Sequence, residues 1–426
     1  MVNTQLETVV SAPKTQTRNH CRFCGEALHD IFVDLGMSPL CESYIEDSTL
    51  NSMERFYPLR VFVCRKCFLV QLGEYVSAED IFSDYAYFSS YSDSWLAHVE
   101  AYCDMAIRRF ALSSKSRVVE LASNDGYLLQ YFLKRGVPVL GIEPAANIAE
   151  VAVQKGIQTE VKFFGETVAR QLVQKHGQAD LLLGNNVLAH VPGLNDFVKG
   201  MKIMLAADGV ITMEFPHLLK LVDQNQFDTI YHEHFSYFSF TTVTKVFERH
   251  GLELFDVEQL GTHGGSLRIF ARHANSDTHK ITGNVQALLD AEEAVGVQQP
   301  EYYEEFKKQV ERTKRSLLSL LIRLKNEGKT VAGYGAPGKG NTLLNYCGIR
   351  SDLIDFTVDR NTFKQGKYTP GTHIPIRHPD AIKDAKPDYV LILPWNLKNE
   401  IVKQLAFIRE WGGQFIVPIP EASILE

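Results

Sequence analysis

Long apolar runs and an excess of positive charge are both absent from this sequence. No stretch reaches the length of about 18 apolar residues that spans a membrane, and the first twenty residues lack the apolar core of a signal peptide. Lysine and arginine total 44 against 51 aspartates and glutamates, a net charge of −7. We therefore expect a cytoplasmic protein that binds neither nucleic acid nor a membrane.

Cysteine is also scarce, with seven among 426 residues. This number is too small for a disulfide scaffold, and four of the cysteines form two Cys-x-x-Cys pairs, which is typical of metal binding in a reducing compartment. The composition, 45% apolar and 22% charged, is that of a globular protein. The length fits two to four domains of about 150 residues, and both a monomer and a dimer remain open.

The chain divides into five segments. Residues 1–19 are polar and predict a flexible tail, whereas residues 20–76 are rich in loops and contain both cysteine pairs. In residues 77–275, nearly continuous apolar strands alternate with helices, which predicts a parallel sheet covered on both faces. A polar helical connector, residues 276–327, precedes a second series of this kind in residues 328–426. The predicted fold class is therefore α/β, with a small N-terminal zinc-binding module and two Rossmann-like domains.

The two cysteine pairs predict a structural zinc site. The proposed ligands are Cys21, Cys24, Cys64 and Cys67, and 39 residues separate the pairs. Each pair can present two thiolates from one turn, and two turns complete a tetrahedral site of four sulfurs. Sulfur fills every position, so zinc is expected to stabilise the fold and not to activate water. A nucleic-acid-binding zinc ribbon is the alternative. The other cysteines are expected to be buried thiols: Cys41, Cys103 and Cys347.

A first nucleotide site is predicted at residues 118–126, where a strand ends and a helix begins. The three-glycine dinucleotide fingerprint is absent, but Glu120 closes this strand and Glu143 closes the next, 23 residues later. Acids so placed suit the ammonium group and the ribose diol of S-adenosylmethionine (SAM). The predicted cofactor residues are Glu120, Ser123, Asn124, Asp125, Glu143 and Asn186. A Rossmann domain that binds another nucleotide remains open here.

The same segment resembles the first motif of class I methyltransferases, which reads acid-x-Gly-x-Gly. In this sequence Ala122 and Asn124 stand in the place of the two glycines. The resemblance implies a class I methyltransferase fold for the central Rossmann-like domain.

Residues 231–237, YHEHFSY, place several titratable side chains in an otherwise aromatic stretch. Apolar surroundings disfavour the charged form, so they raise carboxyl pKa values and lower imidazole pKa values, and groups perturbed in this way are common at catalytic sites. A single residue separates His232 from His234, so the His-Glu-x-x-His motif of zinc hydrolases is absent. Two surface histidines that flank an ion-paired glutamate are the alternative without function.

A glycine-rich turn, GYGAPG at residues 333–338, follows a predicted strand and precedes a predicted helix. Lys339 follows the turn, but Gly340 stands where a P-loop has serine or threonine, so we do not expect ATP hydrolysis. Asp359 ends the next strand of this series, at a position suited to a ribose. A redox dinucleotide is therefore also compatible with this turn.

The order of these features is similar to that of the sugar C-methyltransferases, which act on nucleotide-linked 4-ketodeoxysugars. The resemblance extends from Cys21 to about Pro420 and includes the segments VVELASNDG, NNVLAHVP, YHEHFSYFS, THGGSLR, GYGAPGKGNTLLNYCGI and YTPGTHIPI. It implies SAM and structural zinc as cofactors, a nucleotide-linked keto-deoxysugar as substrate and C3 as the methylated carbon. It also implies the catalytic residues His234, Glu233, Tyr231, His190 and Tyr85.

The chemistry suits these residue types. A carbon beside a carbonyl loses its proton at neutral pH only when the enolate oxygen is stabilised while a base acts. We expect His234 to be the base and Glu233 to orient its imidazole and fix its tautomer. Donors at the keto oxygen are expected from Tyr85, His190 and Tyr231, and no catalytic metal is needed.

The resemblance assigns the C-terminal unit to the nucleotide part of the substrate, with Lys339 near the diphosphate. The predicted substrate residues are Lys339, Asn341, Asp359, Lys364, His263 and Asn396. Two other functions compete with this prediction. One is an NAD-dependent nucleotide-sugar oxidoreductase that uses the glycine-rich turn, and the other is a non-catalytic zinc-ribbon protein that binds a nucleotide.

Overall fold

The computed structural model of the chain describes residues 20–82 and 89–425. Its strands, in chain order, are β1 Asp30–Ser38, β2 Tyr57–Val63, β3 Val70–Leu72, β4 Val118–Leu121, β5 Val139–Ile142, β6 Thr159–Glu160, β7 Ala179–Asn185, β8 Leu205–Pro216, β9 Ser236–Tyr237, β10 Leu252–Leu260, β11 Ser266–His273, β12 Val331–Tyr334, β13 Thr357–Val358, β14 Ile376–Arg377, β15 Tyr389–Ile392, β16 Gln414–Val417 and β17 Ser423–Leu425.

The helices, in the same order, are α1 Ala78–Phe82, α2 Asp93–Arg109, α3 Leu129–Lys134, α4 Ala146–Gln154, α5 Glu166–His176, α6 Leu194–Met204, α7 Leu218–Asp223, α8 Phe240–Arg249, α9 Gly283–Ala294, α10 Pro300–Asn326, α11 Gly338–Cys347, α12 Ala381–Ala385 and α13 Lys398–Gln404. In the described part of the chain, none of these helices combines the length and the apolar character needed to cross a membrane.

The N-terminal sheet has the order β1-β2-β3-β9, and its strands are antiparallel. Alternation in β2 buries Leu59, Val61 and Val63 on one face, as expected for a sheet that covers a core on one side only. Strand β9 comes from the middle of the chain and directly follows the YHEHF segment. The zinc module and the predicted reactive segment therefore share one sheet.

The central sheet has the order β10-β11-β8-β7-β4-β5-β6. Strands β4 to β8 are parallel to one another, whereas β11 and β10 extend the sheet in antiparallel fashion. All four residues of β4 are buried because helices cover both faces. The carboxyl ends of β4, β5 and β7 lie at one edge, where ligands of such sheets bind.

The C-terminal sheet has the order β14-β13-β12-β15-β16-β17 and is parallel except for β17. From β12 the chain first adds strands on one side and then returns to β15 on the other side. The loops that follow β12 and β15 consequently form a crevice at the carboxyl edge. Two of the predicted substrate residues, Lys339 and Asn341, lie at the start of α11, and Asn396 lies in the loop after β15.

Helices α9 and α10 pack against the other units. Glu292 of α9 is fully buried and accepts hydrogen bonds from the backbone amides of Phe240 and Thr241, 2.7 Å each, at the first turn of α8. Its carboxylate also lies 2.7 Å from Nε2 of His217. Helix α10 packs under β1, where the rings of Phe306 and Phe32 stack at 4.5 Å. These helices hold the central domain and the zinc module together.

Candidate active site and zinc site

The four cysteines of the two pairs meet at one point. Their sulfurs all lie within 4.8 Å of one another, and Cys21–Cys67 and Cys24–Cys64 are each 3.5 Å apart. Tetrahedral zinc with bonds of about 2.3 Å separates its sulfurs by about 3.8 Å, so the arrangement fits the ion. The same four thiolates would hold zinc, with no position left for water.

Replacing Cys64 with serine should abolish zinc binding. The expected result is a fall from one zinc per chain to near zero and a lower midpoint of thermal unfolding, because structural zinc contributes directly to folding. Elemental analysis and thermal denaturation measure the two effects, with Cys103→Ser as the control outside the cluster. Full zinc content in Cys64→Ser would contradict the four-sulfur site.

A cavity of about 290 Å³ opens at the carboxyl edge of the central sheet. Its walls include Trp95, Asn124, Glu143, Asn186 and His190. The mixture of aromatic rings, amides and carboxylates suits a nucleoside that carries polar groups.

The turn that follows β4 has an unusual backbone. Ala122 and Asn124, which replace the two motif glycines, adopt φ angles of 55° and 48°, and Gly126 adopts 75°. The turn therefore has left-handed backbone at three positions, although two of these residues carry side chains. The Asn124 amide oxygen accepts a hydrogen bond from the backbone amide of Ser89 at 2.9 Å, which joins the turn to the segment before α2.

Half of the predicted cofactor residues line this cavity: Asn124, Glu143 and Asn186. The others lie behind it, because Glu120, Ser123 and Asp125 are buried beneath the turn. Burial raises the pKa of Glu120 well above its ordinary value, more than the nearby Tyr127 hydroxyl lowers it. Neither Glu120 oxygen, nor Oγ of Ser123, has a well-formed hydrogen bond within the described residues. Since these three side chains do not line the cavity, a contact of any of them with SAM remains a prediction.

Two backbone amides hold the carboxylate of Glu143 at the wall of the cavity. Its oxygens accept hydrogen bonds from Asn124 and Ala145, both at 2.9 Å, and still have lone pairs for a ribose diol.

Substituting Glu143 with glutamine should weaken binding of S-adenosylhomocysteine about tenfold or more, since hydrogen bonds to a charged group are worth about 1.5–3 kcal/mol. Isothermal titration calorimetry measures the affinity. Glu150→Gln removes an exposed carboxylate from α4 and should bind as the native chain does. Equal affinities for the native chain and Glu143→Gln would exclude the ribose contact.

His234 is the buried centre of the reactive segment. Its Nδ1 lies 2.7 Å from the backbone carbonyl oxygen of Thr229. A carbonyl oxygen can only accept, so Nδ1 carries the proton and Nε2 has a free lone pair. Nε2 has no hydrogen-bond partner among the described residues. Burial lowers the pKa of His234 to about 4, which keeps the imidazole neutral at pH 7.

The prediction that Glu233 fixes the tautomer of His234 is wrong, because the Thr229 carbonyl does so. The backbone of residues 231–237 directs the side chains of Glu233 and His234 to different neighbours. The thiol of Cys41, from the zinc module, donates to Oε1 of Glu233 over 3.5 Å. Besides burial, the charge of Glu233 raises the pKa of Tyr231. Glu233 thus helps to keep that hydroxyl protonated.

Two rings flank His234. The ring centres of Tyr231 and His190 lie 4.0 and 4.7 Å from that of His234. Burial lowers the pKa of His190 well below its ordinary value, and Nδ1 of this ring has no partner within the described residues. His190 also lines the cofactor cavity, so it connects that cavity with His234. Tyr85 lies outside the described residues, and its role remains a prediction.

Lys339 approaches this cluster from the C-terminal unit. Its Nζ donates to Oδ1 of Asn396 at 3.0 Å and lies 4.9 Å from the centre of the Trp395 ring. The indole of Trp395 donates to Oδ2 of buried Asp228 at 2.7 Å, one residue before the carbonyl that holds His234. The positive charge of Lys339 adds to the effect of burial on the His234 pKa. The predicted diphosphate lysine and the predicted base therefore share one environment.

His263 connects this region with the central sheet. Nδ2 of Asn186 donates to Nε2 of His263 at 3.2 Å, and the His263 ring meets that of Trp95 edge-on at 5.1 Å. Burial lowers the pKa of His263 to about 4, so the ring is neutral. Its φ of 54° is uncommon for a residue with a side chain, and backbone strain of this kind is found at functional sites.

The remaining predicted substrate residues join the glycine-rich turn to its surroundings. Asp359 accepts a hydrogen bond from the backbone amide of Ala336 at 2.7 Å, and Nζ of Lys364 donates to the Ala336 carbonyl at 3.0 Å. Asn341 donates to the carbonyl of Cys41 at 2.6 Å. In this structure these side chains bind protein groups, and a role towards substrate remains a prediction.

The zinc module covers the glycine-rich turn. A Cβ atom on Gly338 would lie 2.9 Å from the sulfur of Cys41, and the Tyr44 hydroxyl donates to the Ala336 carbonyl at 2.6 Å. A redox dinucleotide would place its diphosphate on this turn, at the start of α11. The packing argues against the NAD-dependent alternative.

Three family models match successive parts of the chain: a zinc binding domain over residues 21–82, a methyltransferase domain over residues 95–257 and a C-methyltransferase C-terminal domain over residues 261–420. C-methyltransferase NovU from Streptomyces niveus is 38% identical over 410 residues, which cover 96% of this chain and 97% of NovU. The chain belongs to this C-methyltransferase family. Membership confirms the predicted family, the α/β fold with its zinc-binding module, and SAM and zinc as cofactors.

Solved structures resemble part of the chain. One is a SAM-dependent methyltransferase from Clostridium acetobutylicum, with 10% identity, coverage of 42% of this chain and 92% of that chain, and a TM-score of 0.35. Another is magnesium protoporphyrin IX methyltransferase from Synechocystis with bound S-adenosylhomocysteine, with 14% identity, coverage of 41% and 81%, and a TM-score of 0.33.

Sequence reasoning missed several contributors to the C-methyltransferase site. Thr229 acts through its backbone carbonyl, which any residue would supply, so no sequence signal marks it. Trp95 lies on α2, and its ring lines the cofactor cavity. An indole on an amphipathic helix most often belongs to the core, so its place in the sequence alone does not reveal the cavity.

Proposed function

We propose that this C-methyltransferase transfers the methyl group of SAM to C3 of a nucleotide-linked 4-keto-deoxysugar. The observation that carries the proposal is the state of His234. Its Nδ1 proton is engaged by Thr229, its Nε2 has no hydrogen-bond partner within residues 20–82 and 89–425, and its ring contacts that of His190, which lines the cofactor cavity. A neutral base beside a methyl donor is what methylation of a carbon acid requires.

The proposed reaction begins with proton transfer. Nε2 of His234 removes the proton from C3, and the electron pair moves into the carbonyl to form an enolate. The Tyr231 hydroxyl and a ring N–H of His190 donate to the developing oxyanion, because their pKa shifts keep the phenol protonated and the imidazole neutral. SAM supplies an electrophilic methyl group, to which C3 bonds. The keto group is restored, and S-adenosylhomocysteine and one proton are the other products.

A second cavity supports the nucleotide part of the proposal. It has a volume of about 610 Å³ and lies at the carboxyl ends of β12, β13 and β14. The cationic side chains of Arg360 and Lys383 stand beside the rings of Tyr334 and Phe407, and the carboxylates of Asp93 and Asp380 also line the cavity. Cationic donors suit phosphate oxygens, and aromatic rings stack on bases. We infer that this cavity takes the nucleoside diphosphate, in place of the position predicted beside Lys339, which does not line the cavity.

The direct test of the proposal is product analysis. The enzyme is incubated with SAM and a panel of nucleotide-linked 4-keto sugars, with their 4-hydroxy counterparts as controls. The proposal requires a mass gain of one methylene unit with some 4-keto sugar and none with any 4-hydroxy sugar, since only the ketone acidifies C3. Methylation of oxygen, or equal reaction of the 4-hydroxy sugars, would refute it.

Replacing His234 with glutamine should lower kcat at least about 10²-fold, the low end for general base catalysis, and leave S-adenosylhomocysteine affinity near the native value. Because the pKa of His234 is lowered to about 4, its neutral form persists as the pH falls through 6.5. The kcat/KM of the native enzyme should therefore stay level from pH 7.5 to about pH 5. A fall in kcat/KM with its midpoint near pH 6.5 would contradict a buried base.

A further inference from the structure

Arg22 is an unusual member of the first cysteine pair. It lies between Cys21 and Cys24, and its guanidinium turns inward to the protein. Its guanidinium is charged at neutral pH, as arginine is throughout proteins. Within residues 20–82 and 89–425, no carboxylate lies within 4.0 Å of this half-buried side chain. Its partners are instead backbone carbonyls and an aromatic ring.

One of these partners lies in strand β3, and the other two lie beside His190 and His234 in the chain. The guanidinium donates through Nη2 to the carbonyl of Leu72 and through Nη1 to that of Pro192, the latter at 3.4 Å. Its central carbon lies 5.4 Å from the ring centre of Phe235, the neighbour of His234. Pro192 lies two residues after His190.

The strands add a second set of contacts. The backbone amide of Leu72 donates to the Phe235 carbonyl at 3.0 Å, and the amide of Phe235 donates to the carbonyl of Ala189 at 2.8 Å. The amide of Arg22 itself donates to Oε1 of Gln71, a residue that pairs with Ser236 across β3 and β9. The planar guanidinium therefore holds the segments of both His190 and His234 at one point.

We propose that Arg22 is a positioning residue that couples the zinc knuckle to the His190–His234 pair. Zinc would fix the Cys21–Cys24 turn, and the guanidinium of Arg22 would transmit that order to the two imidazoles. The proposal rests on the proposed function only for the role of His234 as base. The planar guanidinium is essential to this role. Its two diverging N–H groups donate to two carbonyls while its plane contacts the Phe235 ring, and the ammonium of lysine cannot do both.

The test compares three variants. Arg22→Met removes the planar guanidinium and the charge, and Arg22→Lys retains the charge. Arg65→Met is the matched control, since Arg65 holds the same position in the second cysteine pair but is exposed and forms a surface ion pair with Asp30. All three should bind one zinc per chain, and their affinity for S-adenosylhomocysteine should stay within about threefold of the native chain. With the substrate, both Arg22 variants should lose kcat about 10²-fold with little change in KM for SAM, as misplaced groups do.

A second readout needs no sugar. The Nδ1 proton of His234, bound to a carbonyl, should give a downfield proton NMR signal that is identified by its loss in His234→Gln. This signal should shift or broaden in Arg22→Met and Arg22→Lys and remain unchanged in Arg65→Met. The NMR measurement tests the role of Arg22 even if the proposed sugar is not the substrate.

Three results would overturn the proposal: an unchanged signal in both Arg22 variants, native kcat in Arg22→Lys, or loss of zinc from both variants. Native kcat in the lysine variant would mean that charge alone acts. Loss of zinc would mean that Arg22 serves the metal site and not the imidazoles. Arg22→Lys keeps the positive charge and the aliphatic part of the side chain. If Arg22→Met does not fold, the measurements on Arg22→Lys test the proposal.

Discussion

The hydrogen bond from Nδ1 of His234 to the Thr229 carbonyl is the interaction on which the proposed chemistry depends. A buried imidazole without it could carry its proton on either nitrogen, and only one tautomer leaves Nε2 free to accept. Burial of His234 lowers its pKa and so keeps the ring uncharged at neutral pH. The hydrogen bond to the Thr229 carbonyl raises the pKa of His234, but burial lowers it more, and a carbonyl adds no full negative charge as a carboxylate would.

The three sheets converge on that histidine. The N-terminal sheet includes β9, which directly follows the reactive segment, and the central sheet presents the cofactor cavity through His190. The C-terminal unit brings Lys339 and Trp395 to Asp228, next to Thr229. Zinc is not needed for the proposed chemistry, yet its module covers the glycine-rich turn and supports the strand after His234. A structural metal can therefore bear on catalysis through packing alone.

The sequence predicted those parts of the molecule whose signals are local. Two Cys-x-x-Cys pairs define a zinc site by spacing, and apolar strands that end in Glu120 and Glu143 define the edge of a parallel sheet. The left-handed turn was harder to foresee, because Ala122 and Asn124 adopt it without being glycine. Adjacency in sequence misled in one case: Glu233 neighbours His234 along the chain but turns towards Cys41.

Contacts made by the backbone or across units had no such signal. The Thr229 carbonyl carries no residue identity, and strand β9 has only two residues, too few for a periodic pattern. The inward direction of Arg22 depends on Phe235 and Pro192, which are more than 160 residues away in the chain. Long-range pairing of this kind becomes visible only in the folded structure.

Exchange of the substrate C3 proton with solvent, followed in deuterated buffer with S-adenosylhomocysteine in place of SAM, separates the proposed base from methyl transfer. The account predicts that the native enzyme incorporates deuterium at C3 of its 4-keto sugar and that His234→Gln does so at least about 10²-fold more slowly. Equal exchange rates in the two proteins would show that another group removes the proton and would contradict the central claim.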